Sequence, residues 1–261
     1  MTTCFLLPSG IEEGHAVTRL RAARLAASAK PFVARGSGGG RCDACRVFMS
    51  HCLCALKPSV ATRSGVCLLM GDIEALKPSN TGWLVADVVT DTWAFGWART
   101  AVDPALLALL ADPQWQPYVV FPGEFVEPDR IVTALPSTPV SGADERKPLF
   151  ILLDGTWTEA RRMFRKSPYL NHLPVLSLEP REASNYRLRR SFRANHLCTS
   201  EVTALCLALA GETLAADTLS AWLDVFTAHY LSAKRGDPLD RSSEAHRRLQ
   251  ALNTRSASSA V

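Results

Sequence analysis

The sequence lacks several features that define large classes of protein. No apolar run approaches the roughly 18 residues that a membrane-spanning helix needs, no signal peptide is recognisable, and no internal repeat is present. We therefore expect a cytoplasmic protein without a membrane partner, and nothing in the sequence indicates an obligate protein partner. With 261 residues, 47% of them hydrophobic, the chain is long enough to bury a substantial core.

Cysteine, by contrast, is frequent and unevenly placed. Four of the eight cysteines fall in CDACRVFMSHCLC, residues 42–54, as two close pairs. Paired thiolates on turns suit tetrahedral zinc, and four protein ligands leave no open position, so such a metal would be structural. A thioredoxin-like redox pair is the alternative, but that motif follows a strand rather than a glycine tract. His51 could replace one thiolate. The predicted ligands are Cys42, Cys45, Cys52 and Cys54, whereas Cys4, Cys67, Cys198 and Cys206 are expected to be free and buried.

Positive charge is concentrated in one part of the chain. The net charge is +4, but nine Lys or Arg residues and two acids lie between Arg161 and Arg193. Such a segment fits a polyanionic partner, and a solvated helix face is the ordinary alternative. Within it, NYRLRRSFRANHLCTSE at 185–201 places arginines beside aromatic residues, a combination that can grip phosphates and stack on bases.

Short apolar runs alternate with segments that have helical periodicity. The runs predict strands at 66–70, 83–89, 118–121, 149–153 and 174–178. Helices are predicted at 104–113, 156–167, 199–211 and 216–232, and 242–253 is a further candidate. This alternation predicts an α/β fold with a mainly parallel sheet and helices on both faces.

Composition divides the chain into four parts. Residues 1–41 end in a glycine tract and are predicted to be a flexible N-terminal arm. Their Arg- and Ala-rich start faintly resembles a mitochondrial transit peptide, against which two adjacent acids argue. A zinc-binding module at 42–57, a main domain at 58–233 and a charged C-terminal tail at 234–261 follow.

Asp154 lies between a predicted strand and a predicted helix, in LFILLDGTWTEARRM (149–163). The apolar run ends at Leu153, and Thr156 and Glu159 match a capping box that starts the next helix. Asp154 should therefore stand at the carboxyl edge of the sheet, where open α/β sheets bind ligands. The alternative is that it only ends the strand and helps to cap the helix.

Three other polar segments can be interpreted from the sequence. The loop SNTG at 79–82 either presents hydroxyls and amides to a ligand or forms an ordinary turn. The helix after Leu197, which Thr199 or Ser200 would cap, can accept an anion at its N-terminus. The literal Asp-Thr-Trp at 91–93 has no capping box after it, and is predicted to be a hairpin or bend with core or rim tryptophans.

Six blocks, in this order, resemble the DTW-domain family of tRNA-uridine aminocarboxypropyltransferases. They are the cysteines at 42–54, EALKPSNTG at 74–82, FPGE at 121–124, LDGTW at 153–157, YRLR at 186–189 and LCTSE at 197–201. The order of several motifs is more specific than any single match. The family pattern Asp-x-Thr-Trp falls on Asp154, Thr156 and Trp157, and the spelling at 91–93 is a coincidence. Family members usually have His-Pro where this chain has Gly71 and Asp72, which leaves open whether that position serves catalysis or shapes the loop.

The resemblance also implies a fold and a cofactor. It makes the protein a relative of the SPOUT-type methyltransferases, in which the chain near the C-terminus forms a trefoil knot and S-adenosylmethionine (SAM) binds at the knot. SAM would then lie between the 79–82 loop, the end of the 149–153 strand and the loop before 199–211. The residues implied to bind it are Ser79, Asn80, Thr81, Leu153, Leu197, Cys198, Thr199 and Glu201.

The implied reaction transfers the 3-amino-3-carboxypropyl group of SAM to N3 of a uridine in tRNA and releases methylthioadenosine. The implied catalytic residues are Asp154, Thr156 and Trp157. Asp154 is the expected general base, and Trp157 would stack on the cofactor or base, or pack beneath Asp154. The implied RNA contacts are Tyr186, Arg187, Arg189 and Arg193. A SAM-dependent RNA methyltransferase, the same transfer to ribosomal RNA, and a non-catalytic zinc-bearing RNA-binding protein are the alternatives.

Overall fold

A computed structural model describes residues 14–30, 32–33, 40–136, 146–178, 188 and 197–258. Within these ranges the chain forms six β-strands and seven α-helices. The strands are β1 Gly65–Met70, β2 Thr92–Gly96, β3 Trp115–Val120, β4 Ile131–Val132, β5 Lys147–Asp154 and β6 Val175–Leu176. The helices are α1 Ala16–Ala26, α2 Gly82–Val88, α3 Pro104–Ala111, α4 Trp157–Lys166, α5 Thr199–Leu209, α6 Thr213–Arg235 and α7 Glu244–Ser258.

The six strands form one sheet in the order β2-β1-β5-β3-β6-β4. Every pairing is parallel, which confirms the parallel sheet predicted from the sequence. Strands covered on both faces are apolar throughout, and every residue of β1 is buried. Met70 of β1 lies beside Asp154 of β5 in the register, so these two strands end together at the carboxyl edge of the sheet.

Alternate residues of each strand point to opposite faces of the sheet. Val66 and Leu68 pack with α2, α5 and α6 on one side, which we call the α5 face. Cys67 and Leu69 pack with α3 and α4 on the other side, which we call the α4 face. Helices therefore cover both faces, as predicted. Among the described residues, no helix is both long enough and apolar enough to cross a bilayer.

The prediction of a strand at 83–89 is wrong, because helix α2 covers this segment up to Val88. Every residue from Gly82 to Val88 is buried. A short segment that is enclosed on all sides has no polar stripe, and periodicity cannot distinguish it from a buried strand. The valines in this segment then favour the incorrect assignment.

The literal Asp-Thr-Trp motif begins strand β2 rather than the predicted hairpin or bend. Thr92 pairs with Val66 of β1 in parallel register, and a hairpin would require an antiparallel pair. Trp93 packs edge-on against Trp115, with ring centroids 5.5 Å apart, on the α4 face. The prediction that this tryptophan is an aromatic residue of the core or rim is thus in accord with its position.

Both ends of the chain contribute packed helices. Helix α1, inside the segment predicted as a flexible arm over 1–41, buries Val17 completely and donates from Arg21 to the carbonyl of Leu76 at 3.2 Å. Helix α7, inside the tail at 234–261, packs on α6 through Leu249 and Leu252. Apolar contacts with the main domain give these segments a structure that their charged composition does not indicate. The domain boundaries themselves stay a prediction.

A chain of histidines joins α6, α7 and the cysteine segment. Nδ1 of His229 lies 2.8 Å from the carbonyl oxygen of His51, and its Nε2 lies 2.9 Å from Nε2 of His246. Burial lowers the pKa of His229 to about 4, and it also lowers the pKa of His246. Two facing ring nitrogens can share one proton but not two, so the pair is suited to the neutral state.

We expect the free energy of unfolding to fall as the pH is lowered from about 6.5 to about 4. The pKa of His229 is lower in the folded chain, so the unfolded chain binds more protons in this window and acid favours unfolding. The variant His229→Gln should lose less stability than the wild type between pH 7.5 and pH 5, as measured by urea denaturation. Equal losses in the two proteins would contradict this assignment.

Candidate functional site

The carboxyl edge of β5 carries Asp154, as predicted. Its side chain points to the α5 face, because Phe150 and Leu152 of the same strand pack there and side chains alternate. The capping box is also present: Thr156 Oγ1 accepts from the amide of Glu159, and Glu159 Oε2 accepts from the amide of Thr156 at 2.7 Å. Thr156 therefore caps α4, and Asp154 is left for another role.

The carboxylate of Asp154 lies between two loops that are distant in sequence. Asn80 Nδ2 donates to Oδ2 at 2.7 Å, and Thr199 Oγ1 donates to Oδ1 at 2.8 Å. The residue is only 3% exposed. These two bonds bring together the end of β5, the loop before α2 and the start of α5, which are the three segments that the resemblance implies for the cofactor.

Asn80 is itself part of a buried polar chain. Its side-chain oxygen accepts from the amide of Trp83 at 3.0 Å, and its Nδ2 also faces Glu74 Oε2 at 3.5 Å. Glu74 is completely buried and pairs with Lys77. The chain from Glu74 through Asn80 to Asp154 gives each buried polar side chain a partner, which removes most of the cost of burying them.

Gly82 is required by the close approach of α2 to Asp154. A Cβ atom at this position would lie 2.6 Å from Asp154 Oδ2 and 3.3 Å from Asn80 Oδ1. The first of these distances is well inside van der Waals contact. A side chain at residue 82 would therefore displace either the carboxylate or the start of the helix.

The start of α5 differs in detail from the prediction. Cys198, not Thr199 or Ser200, occupies the N-cap, and its amide donates to Glu201 Oε2 at 2.7 Å. The Thr199 hydroxyl is therefore available to bond Asp154. Burial, with the nearby Glu201 carboxylate, raises the pKa of the Cys198 thiol, so this thiol is protonated at neutral pH and is not an activated nucleophile.

The remaining predicted cofactor and catalytic residues are divided between the two faces of the sheet. Thr81 is buried on the α5 face, and its hydroxyl lies 3.5 Å from the amide of Ser200. Trp157 and Leu153 instead pack on the α4 face. The Trp157 ring stacks on Phe121 with centroids 5.5 Å apart and planes at 9°. The Trp157 ring thus packs on the face opposite to the Asp154 side chain, and its role in stacking or in supporting Asp154 stays a prediction.

Two sets of predictions fall outside the described residues. These are the RNA contacts Tyr186, Arg187, Arg189 and Arg193, and the trefoil knot, which stays a prediction. Leu197, half-buried, leads from there into the Cys198 cap. Ser79 is half-buried in the loop before Asn80.

The four predicted cysteine ligands form one cluster that could hold a metal ion. Their sulfur atoms all lie within 4.8 Å of one another, with Cys42 to Cys54 at 3.5 Å and Cys45 to Cys52 at 3.8 Å. A tetrahedral zinc with bonds of about 2.3 Å has sulfur–sulfur edges of ~3.8 Å, so the donor set fits. His51 is not a member, because its Nε2 lies 2.9 Å from the carbonyl oxygen of Asp237.

The neighbouring thiols affect the pKa of Cys45. A hydrogen bond with Cys42, together with burial, raises the pKa of Cys45 to about 12. A dication would reverse that direction, since a coordinating thiol is deprotonated. Without a metal, the Cys45 thiol is therefore protonated at neutral pH.

Arg46 connects the cysteine cluster to the Asp154 site, and sequence reasoning missed it. It follows Cys45 with φ at +65° and is 2% exposed. Its Nη1 donates to the carbonyl of Asn80 at 3.1 Å, and the guanidinium lies 4.1 Å from the Trp83 ring. An arginine between cysteines gives no sequence signal for this role, because its partners are far along the chain. Glu74 was missed as a site residue for the same reason.

One family model matches the chain. Its description is DTW domain, and it covers residues 39–231, which includes the cysteine cluster and the Asp154 site. The resemblance found in the six sequence blocks is thereby confirmed. No solved structure matches the chain significantly.

We expect Gly82→Ala to destabilise the protein and disturb the site, because the added methyl group collides with the Asp154 carboxylate. Overpacking of this kind costs about 1–3 kcal/mol. The matched control is Gly96→Ala, whose Cβ would meet its nearest neighbour, Leu20, at 3.9 Å. Urea denaturation should separate the two variants, and equal stabilities would contradict the close approach of α2 to Asp154.

Proposed function

Since the chain belongs to the DTW-domain family, which is associated with tRNA modification, we propose that it is a tRNA-uridine aminocarboxypropyltransferase. The proposed reaction forms a bond between N3 of a uridine and the γ-carbon of the methionine chain of SAM, and breaks the bond from that carbon to sulfur. The electron pair leaves with methylthioadenosine. The observation that carries the proposal is the Asp154 carboxylate at the carboxyl edge of the sheet, held by both neighbouring loops.

Asp154 has the chemistry for the proton transfer that this reaction needs. The uridine N3 is an imide and must lose its proton to become a nucleophile, and a carboxylate within hydrogen-bond reach can take it. Asn80 and Thr199 both donate to Asp154, so these two bonds engage the carboxylate as an acceptor, as a general base must be. Gly71 also fixes the strand end, since its amide donates to the Asp154 carbonyl at 2.8 Å.

The departure from the family pattern at Gly71 and Asp72 supports a loop-shaping role for this position. Gly71 bonds β5 through its backbone amide, which any residue other than proline could do. Asp72 lies at the surface and pairs with Arg24 at 2.8 Å. Gly71 thus has no side chain that could act on Asp154, and the Asp72 carboxylate is engaged by Arg24.

SAM is the proposed co-substrate, and its sulfonium supplies the electrophilic carbon. We propose that the loops at 79–81 and 197–201 hold it, because they meet at Asp154. The backbones of these two loops would make most of the contacts with SAM, since the Asn80 side chain already donates to Asp154. The proposed ligand of the amino-acid carboxylate is the N-terminus of α5, where the amides of Cys198 and Ser200 have Glu201 and Thr81 as partners in the structure. Leu153, whose side chain packs on the α4 face, would contact SAM only from the other side of the sheet edge.

The metal is proposed to be a structural zinc. Four cysteines complete a tetrahedral site without an open position, which excludes a water-activating role for it. Through Arg46, which donates to the carbonyls of Asn80 and Lys77, the zinc would hold the loop that positions Asp154. The proposed partner is tRNA, bound in part by the segment that contains Tyr186, Arg187, Arg189 and Arg193.

We expect Asp154→Asn to lower product formation by about a hundredfold or more, because a positioned general base typically contributes that factor. The assay is mass spectrometry of nucleosides from unmodified tRNA incubated with purified protein and SAM. Asp91→Asn, which changes the literal Asp-Thr-Trp at 91–93, is the matched control and should be active.

SAM binding by calorimetry must be retained in the Asp154 variant for this result to be informative. Near-normal product from Asp154→Asn would rule out the base role. The added mass separates aminocarboxypropyl transfer from the alternative of methyl transfer. Absent SAM binding in the wild type, with tRNA binding retained, would indicate the non-catalytic alternative.

We expect one zinc per chain, measured by elemental mass spectrometry, and loss of that zinc in Cys54→Ser. Removal of the zinc should also lower the melting temperature, because the metal no longer stabilises the turn that carries Arg46. Cys206→Ser is the control for zinc content alone and should keep the metal, since Cys206 is buried on the α5 face outside the cluster. Metal-free wild-type protein with an unchanged melting temperature would contradict the structural role.

A further inference from the structure

Helix α4 presents a strongly basic surface beside the proposed site. Its ten residues include four basic side chains and one acid. Arg161, Arg162, Arg165 and Lys166 are all exposed. The acid, Glu159, is engaged in the capping box, and no carboxylate among the described residues forms an ion pair with the four cations.

Two of these arginines rest on aromatic rings on opposite flanks of the helix. The Arg161 guanidinium lies 4.7 Å from the Phe125 ring, and that of Arg162 lies 5.7 Å from the Trp97 ring. Phe125 follows β3 and Trp97 follows β2, so the rings come from strands on either side of β1 and β5. With neighbouring strands about 4.8 Å apart, β2 and β3 are separated by ~14 Å.

The rings are themselves fixed. Trp97 Nε1 donates to Ser167 Oγ at 2.9 Å, which ties the loop after β2 to the end of α4. Phe125 contacts Trp157 with centroids 5.5 Å apart. An arginine that lies on a held ring loses less conformational freedom when it binds a planar or anionic group than one extending into water.

We propose that this surface, made of Arg161, Arg162, Arg165 and Lys166 on α4, binds the sugar-phosphate backbone of the tRNA substrate. The proposal rests on the function proposed above. The surface starts at the same sheet edge as Asp154, because α4 begins three residues after it in the chain. Unpaired exposed cations spread along a helix neutralise phosphates without reading sequence. The surface would thus orient the RNA, while the edge on the α5 face receives the uridine.

The test compares two variants of the full chain that remove the same charge. Arg161→Gln/Arg162→Gln alters both arginine–ring pairs. The control, Lys234→Gln/Arg247→Gln, removes two exposed cations from α6 and α7, which lie on the α5 face. Binding of an in vitro transcribed tRNA is measured by fluorescence anisotropy at several salt concentrations, without SAM, so that turnover does not enter.

We expect the α4 variant to bind on the order of tenfold more weakly near 0.1 M salt, with the slope of log Kd against log salt reduced by about one to two. The control should bind like the wild type. The conservative variant Arg161→Lys/Arg162→Lys should keep most of the dependence of log Kd on log salt. Its circular dichroism and melting temperature establish that these two side chains can be changed without unfolding the protein.

Wild-type affinity in the glutamine variant, or equal weakening in the α6–α7 control, would overturn the proposal. So would a wild-type protein that does not bind tRNA. A wild type that binds tRNA with the expected variant pattern but forms no aminocarboxypropyl product would support the surface while contradicting the proposed reaction, so the two failures are distinguishable.

Discussion

The structure depends on one buried carboxylate. Asp154 accepts hydrogen bonds from Asn80 at 2.7 Å and Thr199 at 2.8 Å, and helix α2 approaches it so closely that residue 82 can have no side chain. A charge that is 3% exposed requires such partners. The same two bonds fix the relative positions of β5, the loop before α2 and the start of α5. The hydrogen bonds that one buried group requires therefore bring three distant segments together at the sheet edge.

The cysteine cluster stabilises the loop that carries Asn80, through Arg46. Its first turn ends at Arg46, whose positive φ directs the side chain into the protein, where it bonds the carbonyls of Lys77 and Asn80 and lies over Trp83. A small module with little core of its own is thus coupled to the loop that holds Asp154. Through this coupling, a metal without an open coordination position would support the chemistry that we propose at the sheet edge.

Local sequence patterns predicted the parallel α/β fold and the position of Asp154 at the edge of the sheet. The apolar run of β5, the turn and the capping box are all encoded within about a dozen adjacent residues, and the cysteine pairs are equally local. What the sequence did not predict depends on distant contacts. Helix α2 is enclosed on every side and so has no periodic pattern, and Arg46 and Glu74 act on residues that no local rule connects to them. The face on which Trp157 packs likewise depends on its contact with Phe121, which is distant in the chain. The RNA contacts at 186–193 and the knot stay predictions.

These observations lead to one central claim, that the loops which meet at Asp154 form the binding site of the group donor. The most direct measurement is a crystal structure of the zinc-loaded protein with SAM. We predict electron density for the methionine part of SAM against residues 79–81 and 197–201, with its γ-carbon on the side of Asp154. Density at another edge of the sheet, or none at a saturating concentration of SAM, would contradict the claim.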